Sequence, residues 1–178
     1  MKEGYADNHF ASLYYKELGQ GVPLVMLHGN GESHQIFGRL SELMSRHYRV
    51  ILMDSRGHGA SKLRDTVRAQ ELTTSSMADD VVQVMDVLHV PKAVILGFSD
   101  GANVALEAAS RYPDKVLAVV LLLTGRRDMI RPRHSLWMGE QIPDAKVVFV
   151  KGADHFTLLK KERAYAGHIV RWLREKGL

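Results

Sequence analysis

The chain has 178 residues, 46% hydrophobic and 25% charged, with a net charge of +4 from 24 Lys and Arg against 20 Asp and Glu. That balance predicts an ordinary globular protein folding as one domain over residues 1–178, long enough to bury a core without staples. The absence of Cys excludes a disulfide framework, a thiolate nucleophile and a thiolate zinc site.

In chain order, the first ten residues are polar and lack the apolar stretch of a signal peptide. The longest apolar run, residues 116–123, is far too short to span a membrane. The expectation is a cytoplasmic protein with no membrane partner. Strands are predicted near residues 4–7 and over 12–16, 23–27, 49–53, 93–98, 116–123 and 146–151. Four of these are near-continuous apolar runs, as parallel strands covered on both faces are. Between them lie segments of helical period. Ser33 is placed to cap a helix carrying Ile36, Phe37, Leu40, Leu43 and Met44. Met77, Val81, Val84, Met85 and Leu88 mark a second helix, ended by Pro91. Further helices are predicted over 102–111, 133–141 and 158–176. The alternation predicts an α/β fold, a doubly wound and mostly parallel sheet of about seven strands. Methionines fall at core spacings and read as packing, not as metal ligands. Four arginines crowd together at Arg126, Arg127, Arg131 and Arg133, with little aromatic interleaving. They read as a solvated loop face and not as a nucleic-acid site.

The chemistry centres on Gly97-Phe98-Ser99-Asp100-Gly101, which follows a predicted strand and opens a helix. A serine on such a tight strand-to-helix turn has its hydroxyl pushed above the strand end. Side chains two residues either side would collide with backbone, and glycine at 97 and 101 removes that collision. Ser99 is therefore the expected nucleophile. A serine needs a base to take its proton, and the base needs an orienting acid. Around such an elbow the chain order is nucleophile, acid, histidine. His155 follows the last predicted strand, where sites form in sheets of this kind. Asp128 ends another strand-and-loop, between Ser99 and His155. Asp154 adjoins His155 and would need awkward local geometry to serve it. An oxyanion hole needs two donors. The backbone N–H groups of Asp100 and of Asn30, in His28-Gly29-Asn30-Gly31, are the candidates. The Asp100 carboxylate reads either as a favourable charge at a helix N-terminus or as a group that attracts a substrate ammonium. His28 is expected to shape the oxyanion loop, and His58 to be loop structure. His9, His34, His47, His89, His134 and His168 read as surface or helix-face residues. No histidine pair has the spacing of a metal site.

These motifs, with Asp54-Ser55-Arg56-Gly57-His58-Gly59-Ala60-Ser61, Thr124-Gly125-Arg126-Arg127-Asp128 and Gly152-Ala153-Asp154-His155, resemble the α/β-hydrolase superfamily over nearly the whole chain. The resemblance is to its serine esterase, haloperoxidase-like and C–C-hydrolase-like members. Asp100 after the nucleophile also looks like the biphenyl-hydrolase-like enzymes. The resemblance implies a Ser99, Asp128, His155 triad and no cofactor, and excludes dehalogenases with Asp at the nucleophile position. It also implies a helical cap after the sixth strand and a seventh strand before the acid. Here residues 115–123 run straight into the Asp128 loop, so the cap and one strand–helix unit are missing. The fused strand takes either the sixth position or the seventh. In the second case an empty slot invites a homodimer by strand or domain exchange. Apolar surface left without a cap favours self-association in either case.

The expected activity is hydrolysis of small carboxylic esters through an acyl-enzyme on Ser99. Thioesterase, C–C hydrolase, perhydrolase and lyase chemistry are open to the same triad. A non-catalytic binding protein or impaired scaffold is the alternative from another class.

Overall fold

A computed structural model of the chain describes residues 1–65, 72–122, 137, 140, 142–148 and 160–178. In chain order, the strands are β1 (Lys2–Asp7), β2 (Ala11–Leu18), β3 (Pro23–Leu27), β4 (Arg49–Met53), β5 (Lys62–Leu63), β6 (Ala93–Phe98), β7 (Val116–Leu122) and β8 (Ala145–Val148). The α-helices are α1 (Gly38–Met44), α2 (Thr74–Val87), α3 (Asp100–Arg111) and α4 (Glu162–Glu175).

The strands form one sheet in the order β1-β2-β4-β3-β6-β7-β8, with the two-residue β5 pairing off β2. β1 and β2 run antiparallel, as does β2 with β4. From β4 to β8 every neighbouring pair is parallel. This is the predicted mostly parallel architecture.

Alternate strand residues feed two cores. Val25, Ile51, Ile95, Val119 and Leu121 pack under α2 and α3, with Val84, Met85, Ala105 and Ala108. Their strand neighbours Met26, Leu52, Leu96, Val120 and Leu122 pack under α1 and α4, with Leu40, Met44, Ile169 and Leu173. Both sheet faces are therefore covered, which is why the central strands read as unbroken apolar runs.

One feature differs from the expectation. Ser33 does cap a turn, its side chain accepting from the Gln35 N–H, but the turn is a 3₁₀ helix over His34–Phe37. Gly38, at φ 30° and ψ −120°, breaks the path where the turn ends and α1 begins. The apolar residues expected on one helix thus divide between two short elements, Ile36 and Phe37 on the first and Leu40, Leu43 and Met44 on the second. The position of the fused strand, open between sixth and seventh in the sequence, is settled by pairing: β7 pairs β6 directly, from Val94↔Ala118 to Phe98↔Leu122. It takes the position next to the elbow strand, and β8 follows it. No gap for an exchanged strand remains between β6 and β8.

The strand order reverses at β3, which has β4 on one side and β6 on the other. Doubly wound sheets open a crevice at such a switch point, outside the strands' carboxyl ends. The segments there are those that follow Leu27 and Phe98.

Candidate active site

β6 ends at Phe98 and α3 begins at Asp100, so a single residue, Ser99, makes the turn. Its backbone sits at φ 52° and ψ −119°, a conformation that costs any residue with a Cβ. A Cβ on Gly97 would overlap the Gly101 carbonyl and lie 2.5 Å from Ala102 Cα. One on Gly101 would overlap the Leu27 carbonyl and lie 2.6 Å from the His28 carbonyl oxygen. Both glycines are thus required by backbone, as the sequence implied. Ser99 is half-buried. Its carbonyl accepts the Ala102 N–H at 2.9 Å, and its N–H lies 3.5 Å from the Leu122 carbonyl oxygen at the end of β7. Asp100 is exposed in the first turn of α3, with its carboxylate accepting from Asn103 Nδ2 at 3.1 Å. That placement suits the helix N-terminus.

The loop after β3 closes on the elbow. A Cβ on Gly29 would come within 3.0 Å of Ser99 Cβ. His28 is buried; its Nδ1 lies 2.7 Å from the Gly29 carbonyl oxygen, and its Nε2 accepts the Ser55 N–H at 3.0 Å. The carbonyl requires a proton on Nδ1 and the amide requires a lone pair on Nε2, so the ring is a neutral tautomer. Burial pushes its pKa below the ordinary histidine value, against the opposing pull of the Gly29 carbonyl and Asp54. Asn30 is exposed, with its Oδ1 3.3 Å from His58 Nε2. His58 Nδ1 is 3.1 Å from the Arg56 carbonyl oxygen. His28 and His58 thus have the loop roles the sequence suggested.

The segment after β4 braces this loop. Asp54 is fully buried and accepts from the Ala60 N–H at 2.8 Å. It also meets His34 twice, at the backbone N–H (2.6 Å) and at Nδ1 (2.9 Å). His34 is therefore no simple surface histidine. It joins the 3₁₀ turn to the β4 loop, across 20 residues of sequence. Arg56 and Asp80 form a buried two-point pair, Nε–Oδ2 at 2.6 Å and Nη2–Oδ1 at 2.7 Å, which Asn8 Nδ2 joins at 2.9 Å. Sequence reasoning quoted this arginine and missed its partner. It also missed Glu32, whose Oε2 accepts the Gly29 N–H at 2.9 Å.

Of the expected site residues, Ser99, Asp100 and Asn30 are thus brought to one place. Asp128 and His155 lie outside the described residues, as do Asp154 and the cluster of Arg126, Arg127, Arg131 and Arg133. Among the described residues no group of three His, Cys, Asp or Glu could hold a metal ion. No described helix is long and apolar enough to cross a membrane.

The family model for the alpha/beta hydrolase fold matches residues 22–136, and the chain belongs to that family. It is similar to a pimeloyl-[acyl-carrier protein] methyl ester esterase of Nitrosospira multiformis, 35% identical over 114 residues, which are 64% of this chain and 42% of that protein. It is also similar to an AB hydrolase superfamily protein of Bacillus subtilis, 30% identical over 144 residues, 79% of this chain and 52% of the relative. The chain thus spans about half the length of these relatives. Among solved structures, a thermophilic esterase from Thermogutta terrifontis matches with a TM-score of 0.83 at 18% identity, covering 98% of both chains. A meta-cleavage product hydrolase matches with the same score at 19% identity and the same coverage. At that identity the likeness concerns the fold.

Proposed function

We propose that the chain is a serine hydrolase that cleaves small carboxylic esters through an acyl-enzyme on Ser99. The observation that carries this reading is the elbow itself. Ser99 is held at φ 52° between two glycines that backbone contacts require, with the loop after β3 against its Cβ. Structures keep such strain where a reacting group must be presented.

The steps follow from the side chains. His155 takes the Ser99 hydroxyl proton while Oγ bonds to the acyl carbon, and Asp128 orients the imidazole. The carbonyl oxygen, now negative, is held by the Asn30 and Asp100 N–H groups. Asp100 opens α3, so the helix N-terminus adds its partial positive charge there. The alcohol leaves with the proton from His155. Water then attacks the acyl carbon as His155 takes its proton; the bond to Ser99 Oγ breaks, Oγ takes the proton back from His155, and the acid leaves. Every reacting group is a side chain, a backbone N–H or water, so the scheme calls for no cofactor. The names of several relatives support hydrolysis, and that of the Nitrosospira multiformis esterase supports an ester substrate.

The test is p-nitrophenol release from p-nitrophenyl acetate, with labelling by a fluorophosphonate probe. Ser99→Ala is expected to lower kcat by at least about a thousandfold and to abolish labelling. Equal rates for the two proteins would overturn the reading. A wild type that neither turns over nor labels would favour a non-catalytic scaffold.

A further inference from the structure

We infer that Glu32 is a positioning residue of this site: by taking up the Gly29 N–H, its carboxylate fixes the loop that presents the Asn30 N–H to the acyl oxygen. The inference rests on the Ser99 reading above and assigns a role to a group that reading does not use.

Gly29 is buried, so both of its backbone polar groups need partners. Its N–H donates to Glu32 Oε2 at 2.9 Å. Its carbonyl accepts from the Glu32 N–H at 3.3 Å and from the protonated His28 Nδ1 at 2.7 Å. Glu32 therefore grips the same glycine from both ends, through side chain and backbone. His28 is anchored in turn by the Ser55 N–H. The Gly29 N–H is consumed by these contacts and is closed to a substrate. The next N–H along the chain is that of Asn30.

Position ties the carboxylate to the reacting group. The point where a Cβ on Gly29 would sit is 2.7 Å from Glu32 Oε2 and 3.0 Å from Ser99 Cβ. Glu32 Oε2 and Ser99 Cβ thus both border the Cβ side of the glycine. A bare carboxylate beside a developing oxyanion would oppose it. Here one oxygen is engaged by an amide, and the useful property is its capacity to accept that bond. Glutamine keeps an acceptor without the charge, and alanine keeps neither.

The experiment compares wild type, Glu32→Ala and Glu32→Gln in p-nitrophenyl acetate turnover. It adds inhibition by phenylboronic acid, which forms a tetrahedral anion on a serine hydroxyl, and amide exchange of Gly29 by NMR. A loop displaced by a fraction of an ångström weakens oxyanion stabilisation, so Glu32→Ala is expected to lose about 10- to 100-fold in kcat with KM nearly unchanged. Its boronate affinity falls by a similar factor, and its Gly29 amide exchanges faster. Glu32→Gln recovers most of each. Wild-type kcat and boronate affinity in Glu32→Ala overturn the inference, as does a Glu32→Gln impaired as severely as Glu32→Ala. A wild type that neither hydrolyses the ester nor binds boronate overturns the Ser99 reading instead. Gly29 exchange then still decides whether Glu32 holds the loop.

Discussion

At position 99 the backbone runs against the preference of every residue except glycine. The cost lies in the Cβ, so Ser99→Ala keeps it and Ser99→Gly removes it. Ser99→Gly is therefore expected to be inactive yet more stable than Ser99→Ala by about 0.5–1 kcal/mol, after allowing for the extra freedom glycine gives the unfolded chain. Paired thermal melts check this. Gly101→Ala, which drives a Cβ into the Leu27 and His28 carbonyls, is expected to cost about 3 kcal/mol or more. His28 supplies a pH signature. Its folded pKa is lowered by burial, so the unfolded chain binds the proton more readily. The stability from keeping the ring neutral is complete above about pH 6.5, the ordinary value, and is lost as pH falls from there through the lowered folded pKa. Urea midpoints at pH 5 and pH 7.5 are expected to differ less in His28→Asn than in wild type. The glycine-flanked serine was legible because its constraint is local, within two residues. Glu32 is only three residues from Gly29, yet its hydrogen bond depends on the turn of the loop. His34 meets Asp54 only once β3 and β4 lie side by side, which no local pattern encodes.

Among the described elements, most strand and helix positions followed from hydrophobic spacing because burial sets that spacing directly; the helix expected over 133–141 lies largely outside the described residues. α2 was legible in its apolar stripe but not in its start. Its capping box joins Thr73 to Ser76, each side chain accepting the other's N–H, where a serine stands in place of the usual Glu or Gln. β5 escaped notice because two residues carry no period. The rank of β7 was open for another reason: a single apolar run fits either of two sheet positions, and only pairing with β6 decides between them. α2 is tied to the β4 loop by Arg56 and Asp80, both almost wholly buried. Replacing Arg56 with Met leaves Asp80 without its cation and is expected to cost about 3–5 kcal/mol, while the double variant Arg56→Met/Asp80→Leu recovers much of that. Thermal midpoints of the three proteins test it.

For the whole molecule, the sheet separates two apolar cores that share its backbone. Val84 lies in one and Ile169 in the other. Truncating either to Ala is expected to cost about 1–4 kcal/mol, with the double variant additive to within about 0.5 kcal/mol. Urea unfolding is expected to stay a single transition if the chain is one domain. The expectation of self-association rests on apolar surface left without a cap; exposed apolar side chains among the described residues include Tyr5 at 49%, Phe10 at 46% and Trp137 at 55%. A sedimentation mass that stays monomeric across concentrations removes that expectation. The parallel seam between β3 and β6, Leu24↔Val94 to Leu27↔Gly97, has one more consequence. It joins the loop carrying His28, Asn30 and Glu32 to the turn carrying Ser99, two stretches of chain on opposite sides of residues 66–71. A polypeptide severed there carries Ser99 on one fragment and Asn30 on the other, and under the proposed function ester turnover is expected only when the two fragments reassemble.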